Sequence, residues 1–262
     1  MTSTEEATAS TPAQQSPASL PPLGFISVEV IIHRPPGDPF NEATWPFPLI
    51  RERAKDSKVS QVVSSAGYDD DFIAHFVDAG QRLVQRGAVG IITSCGFLAM
   101  AQPELSERLP VPVLTSALVQ VPSIIAMLPR EKKVGILTYD DSRLGDMHLE
   151  KLGIPPSRVC IQGAPADGHL RHHIRDGAEY VHEQIETELV QVAQKMMTKY
   201  PEIAAVCLEC TNMPPFAEAI QKAIGKPVYD ICTAGSWFYS GLVTRRPSRW
   251  NPIPKDTIEG RT

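Results

Sequence analysis

The chain has 262 residues, 42% of them hydrophobic, with a formal charge of −5 and a pI near 5.8. That is enough apolar material for one large or two modest cores. The acidic balance and the lack of a long basic stripe exclude a nucleic-acid platform, and the longest apolar runs fall far short of a bilayer.

Residues 1–22 (MTSTEEATASTPAQQSPASLPP) are rich in Ser, Thr, Ala and Pro. They have almost nothing to bury, so the composition predicts a disordered tail. The stretch lacks the basic start and apolar middle of a signal peptide, and it has Glu but no Arg, unlike a transit peptide. Five cysteines, at 95, 160, 207, 210 and 232, then point to a reducing compartment with free thiols, the cytoplasm by default.

Eight short runs rich in Val and Ile follow, at 23–32, 58–64, 88–94, 111–115, 133–138, 158–162, 203–209 and 227–231. They read as buried parallel strands. After the first, Pro35-Pro36-Gly37-Asp38-Pro39 sets a stiff turn, where Asp38 and Asn41 either contact a ligand or cap the turn. Segment 69–86 places Phe72, Ile73, Phe76, Val77, Leu83 and Val84 on one helical stripe, with acids at its start and Gly87 after its end. Segment 179–200 repeats that spacing with Val181, Ile185, Leu189, Val192 and Met196. Between them, GAPADGHLRHHIRDG reads as a loop, with His169, His172 and His173 exposed or over a cleft entrance rather than on a metal. The final TRRPSRWNPIPKDTIEGRT is broken by prolines and reads as irregular.

The two halves match. Residues 89–116 set against 204–231 need no gap: Cys95 falls on Cys210, Pro112 on Pro227 and Val113 on Val228, each 115 apart. The opening strands, LGFISVE at 23–29 and VGILTYD at 134–140, match at an offset of 111. The expected fold is therefore α/β, with two pseudo-symmetric domains, each a mainly parallel four-stranded sheet flanked by helices. Ligands of such sheets bind beyond the carboxyl ends of the strands, where both cysteines sit, so the active site belongs in the cleft between the domains. The expected boundaries are a tail at 1–22, a first domain at 23–128 with 229–245 packing back on it, a second at 129–228, and a tail at 246–262.

A pair of like bases on opposite faces of a carbon acid can take a proton from one side and return one from the other. A thiol, with an ordinary pKa of ~8.5, can serve in either protonation state, and a position before a helix N-terminus favours the thiolate. Thr211-Asn212-Met213-Pro214-Pro215 reads as such a helix start, whose amides and hydroxyls would hold a carboxylate. Glu209 either tunes the neighbouring thiol or packs, since adjacent strand residues point to opposite faces. Cys207, Cys160 and Cys232 read as structural.

Thr93-Ser94-Cys95-Gly96-Phe97 and Leu208-Glu209-Cys210-Thr211-Asn212-Met213, in their common register, resemble the two cysteine motifs of the aspartate/glutamate/hydantoin racemase superfamily. The resemblance spans about 25–245 and implies Cys95 and Cys210 as the acid–base pair, no cofactor, no metal and a homodimer. It implies a substrate contact from Thr211; Asn212, Gly96 and Phe97 beside the cysteines, and Asp38, Asn41 and Thr138 at the strand-end lips, are further candidates by position. Gly96-Phe97 stands where relatives acting on glutamate or aspartate carry a polar pair, which suggests a more apolar pocket. The expected activity is a racemase or epimerase of an amino acid or small carboxylate. The alternatives are a decarboxylase, a cis–trans isomerase, or a silent small-acid binding protein.

Overall fold

The computed structural model describes residues 20–244. Its first sheet has the order β2-β1-β3-β4, from β1 (Leu23–Glu29), β2 (Leu49–Lys58), β3 (Ile91–Thr93) and β4 (Val113–Leu114). The second has the order β6-β5-β7-β8, from β5 (Lys133–Thr138), β6 (Val159–Gly163), β7 (Ile203–Leu208) and β8 (Val228–Tyr229). Every pairing in both sheets is parallel. Each half thus threads its strands in the same spatial order. Strands β4 and β8 begin at Val113 and Val228, the pair that the sequence register aligns.

One strand falls elsewhere than expected. The run at 58–64 is the end of β2 followed by a single helical turn, α1 (Val59–Val62), and the strand itself is the charged stretch LIRERAKDSK. The reason is its position: β2 pairs with β1 alone, and a sheet edge tolerates charge where a central strand does not. An offset of 111 from β6 leads to residues 48–52, within or beside β2, so the repeat held a signal that hydropathy did not.

Helix α2 (Asp70–Gln85) opens where expected, with the Asp69 carboxylate accepting the Phe72 amide at 2.8 Å. It lays Phe72, Phe76 and Leu83 on the first sheet's core. Short helices α3 (Gln102–Arg108), α4 (Val121–Met127) and α5 (Asp146–Glu150) carry the chain into the second half. The HLRHH stretch is not a loop but helix α6 (His169–Asp176), closed by Gly177 at φ 68°. Its polar surface hid it: the helix start is held by the Glu188 carboxylate of the next helix, which accepts the His169 amide at 2.7 Å. His172 pairs with Asp176, and His173 bonds the Ala178 carbonyl, both within or next to α6. Helix α7 (His182–Lys199) and α8 (Ala217–Ile224) complete that half.

The last helix, α9 (Ile231–Leu242), returns to the first half. Trp45 lies against Gly235, and Phe47 stacks on Tyr239 at 3.8 Å between ring centres. Tyr239 donates to the Pro21 carbonyl at 2.6 Å, so the chain just before β1 is tied down and Leu20 is buried. The tails expected at 1–22 and 246–262 otherwise lie outside the described residues. Among the described residues no helix is long and apolar enough to cross a membrane.

Candidate active site

Strands β3 and β7 stop at Thr93 and Leu208, and the chain beyond each turns into the gap between the sheets. Ser94, Cys95, Gly96 and Phe97 from the first half and Glu209, Cys210, Thr211 and Asn212 from the second line one cavity of about 30 Å³. That is room for a water or two. Val30, Val59, Val63, Tyr139 and Ile174 form a wall shared with a second, open cavity of about 680 Å³, which reaches Lys58, Asp140, Arg143 and Arg175. The small chamber is the inner end of the cleft and the large one is its vestibule.

The two cysteines are placed alike. Each precedes a short 3₁₀ segment (Gly96–Ala101 and Pro214–Phe216), and an amide two residues on, that of Phe97 or Asn212, bonds its sulfur. The expectation that such a position favours the thiolate does not hold. Burial pushes both thiols up, the charge of Glu209 pushes them further, and the single amide facing each sulfur does not offset this. At rest both sulfurs carry protons.

Glu209 is the group whose weight the sequence understated. It is 1% exposed, and its Oε2 accepts the Thr138 hydroxyl at 2.7 Å and the Tyr139 amide at 3.3 Å. Its Oε1 is buried with no hydrogen-bond partner among the described residues. Strand alternation would aim it away from Cys210, but β7 ends one residue earlier, and both side chains line the chamber. Burial raises its pKa to about 7, against the opposing pull of Thr138 and Tyr139. The folded state therefore keeps a proton on Glu209 that the unfolded chain sheds near pH 4.5. Stability from this group is full below that pH and is lost as pH rises through about 7. We expect it to amount to about 3 kcal/mol. Thermal unfolding at pH 5 and pH 8.5 should show this slope in the wild type and a shallower one in Glu209→Gln.

Among the other expected site residues, Thr211 donates its hydroxyl to the Ser94 carbonyl and so bridges the halves. Asn212 presents its Oδ1 to the Cys210 thiol at 3.9 Å and donates through Nδ2 to Asp38 at 2.9 Å. Asp38 does not line the chamber; it is buried between Asn212, the Phe40 amide and Arg34, which reaches it at 3.2 Å. Asn41 also stands outside, with its side chain bonded to Ala43 and Arg34 backbone groups. Thr138 is absent from the lining too and serves Glu209 instead. The other cysteines have simpler surroundings. Cys207 is fully buried in β7 and donates to the Ala117 carbonyl, Cys160 lies buried in β6, and Cys232 faces the Gly37 carbonyl. Sequence reasoning placed Tyr139 at the lip beside Thr138 but passed over Arg34 and the α1 valines, because neither stands in a motif. Arg171 is committed to the Tyr139 carbonyl at 2.7 Å and Asp140 at 3.1 Å.

No protein-family model matches the chain. A dimethylsulfoniopropionate lyase of Durusdinium sp. clade D is 27% identical over 226 residues, covering 84% of this chain and 75% of its own. Dimethylsulfoniopropionate lyase 7 of Emiliania huxleyi is 26% identical over 183 residues, and this chain spans only 53% of its length. Among solved structures, a Gly74Cys mutant of arylmalonate decarboxylase superposes with a TM-score of 0.58 at 20% identity, covering 85% of this chain and 93% of that one. Glutamate racemase from Aquifex pyrophilus gives 0.54 at 16% identity, covering 85% and 84%. An aspartate racemase homologue from Pyrococcus horikoshii gives 0.55 at 14%, covering 85% and 99%. With two parallel sheets in matching order and a cleft lined by both, the chain has the fold of the aspartate/glutamate/hydantoin racemase superfamily.

Proposed function

We propose that the chain is an enzyme that removes the proton next to a carboxylate, and that it completes the reaction by β-elimination of a sulfonium group from a small zwitterion such as dimethylsulfoniopropionate. The observation that carries this is the convergence of two thiols and one carboxyl on a single chamber. All three can hold a proton, and all three line the same chamber. In the reaction a thiolate takes the α-proton, and the C–H electron pair becomes the new C=C bond. The β C–S bond breaks with its electrons going to sulfur, giving a neutral sulfide and an unsaturated acid.

The curated relatives support elimination over the other outcomes of the same first step. So does the lining: a carboxyl with one open oxygen and the ring of Phe97 suit an onium cation, whose charge would also draw a buried thiol toward ionisation. Racemisation is the second reading, favoured by the like placement of Cys95 and Cys210 on matched turns. One assay separates them. Incubated in heavy water with dimethylsulfoniopropionate and, separately, with a panel of amino acids, the enzyme should release dimethyl sulfide and acrylate from the first. Deuterium at the α-carbon of an amino acid, without sulfide release, would replace elimination by racemisation. Neither product nor label would remove both.

A further inference from the structure

We propose that Glu209 is the proton acceptor of Cys95, so that the working base of this site is a carboxylate–thiol pair rather than two independent thiols. Beyond the chemistry proposed above, this assigns a part to a residue that sits in neither thiol position, and its test does not depend on which substrate is turned over.

The geometry supports it from three sides. First, Glu209 is anchored but unfinished: Thr138 and Tyr139 hold Oε2, while Oε1 is buried and unpartnered in a chamber that contains both sulfurs. A carboxyl serving only to tie β5 to the end of β7 has no use for a second oxygen left without a bond, which is costly in a buried site. Second, the side chain crosses to the opposite half. A Cβ on Gly96 would lie 2.3 Å from Oε1 and 2.3 Å from the Glu209 carbonyl, so the carboxyl occupies the space that any other residue after Cys95 would fill. The apolar substitution at position 96 is thereby explained: the missing side chain is the seat of this acid. Third, the surroundings leave it few competitors. Cys95, Cys210, Cys207 and the Tyr68 phenol sense its charge, and each is held protonated by burial. Arg34 acts on Cys95 and Asp38 on Cys210, while the Tyr139 phenol faces Cys210. His148, behind Phe97, is kept neutral by burial. Glu209 is the group here whose pKa falls near neutrality.

The step balances without a further reactant. The Cys95 S–H bond breaks, its proton passes to Glu209, and a thiolate and a neutral carboxylic acid result from a thiol and a carboxylate. The thiolate then takes the substrate's α-proton. Glu209 returns its own proton to water when the cleft opens.

This pair has a signature that an uncoupled thiol lacks. Thiolate beside a neutral Glu209 holds the same number of protons as thiol beside ionised Glu209, so the thiolate fraction stops depending on pH once Glu209 has titrated. The test is site-resolved alkylation of the intact protein by iodoacetamide, with the Cys95 peptide followed by mass spectrometry from pH 5 to 9. The nucleophile is the thiolate, so the rate reports its fraction. The Cys95 rate should rise about tenfold per pH unit up to about pH 7 and then level off within about twofold. In Glu209→Gln the levelling should vanish, and the rate should climb about thirtyfold between pH 7.5 and 9. A wild-type Cys95 that is unreactive, or whose rate climbs without a break, overturns the pairing, as does a plateau that persists in Glu209→Gln. The wild-type curve decides on its own if the variant does not fold. Sulfide release with no plateau would leave elimination standing and remove only the pairing.

Discussion

Gly96→Ala should destabilise the protein by about 3 kcal/mol and lower turnover by about a hundredfold, the smallest possible side-chain addition with one of the largest effects in the chain. The added carbon meets two atoms of Glu209 at 2.3 Å, and one of them is a backbone oxygen that cannot swing aside. At Gly80 the same addition is milder. The nearest atoms there, at 2.7 Å, are the methyl ends of Leu109, which can rotate. Chemical denaturation of both variants should therefore separate by at least about 1 kcal/mol in favour of Gly80→Ala. Combining Gly96→Ala with Glu209→Ala should recover only part of the stability, since the carbonyl contact remains after the carboxyl is gone. Equal stability of Gly96→Ala and the wild type would mean that the close approach is not real.

The second large effect is expected from the thiols. Cys95→Ser and Cys210→Ser should each cut turnover by about 10²–10⁴, since a hydroxyl cannot reach the ionisation that a thiol can. The two losses have different origins in the proposed elimination. Cys95 supplies the base. Cys210, kept protonated by burial and by the charges of Glu209 and Asp38, is suited to donate to the carboxylate oxygen where charge develops as the α-proton leaves. Raising the pH should separate the two, because Cys210→Ser still holds a donor while Cys95→Ser lacks a usable base at any pH. Steady-state rates of either variant equal to wild type would remove that sulfur from the chemistry. Single Ser substitutions exchange one small buried side chain for another, so unchanged circular dichroism and thermal midpoints within a few degrees should accompany the loss.

Much of this was legible in the residues. The register that aligns Cys95 with Cys210 and Val113 with Val228 reappears as two sheets of one strand order, because a duplicated pattern of buried strands leaves little choice of topology. Strand β2 was missed because hydropathy reports burial, and an edge strand is only half buried. Helix α6 was missed because its start is held by Glu188, a carboxylate on another helix, which no local pattern displays. The same limit applies to the site. The motif residues Cys95, Gly96, Phe97, Cys210, Thr211 and Asn212 do meet in one chamber. The partners that decide their protonation, namely Glu209 pointing across to Gly96 and Thr138 holding it, are joined only in three dimensions. Alternation along β7 even argued against Glu209, and failed because the strand stops at Leu208.

The wall between chamber and vestibule carries a kinetic consequence. Val30, Val59, Val63, Tyr139 and Ile174 stand between the thiols and the open vestibule, so a ligand entering or leaving passes these five side chains. Two of them, Val59 and Val63, stand at the start and end of the single turn α1, while Tyr139 is clamped by Arg171, so these two valines are the yielding side of the door. Slow passage at this neck predicts that added viscogen slows turnover, while deuteration of the scissile hydrogen hardly registers.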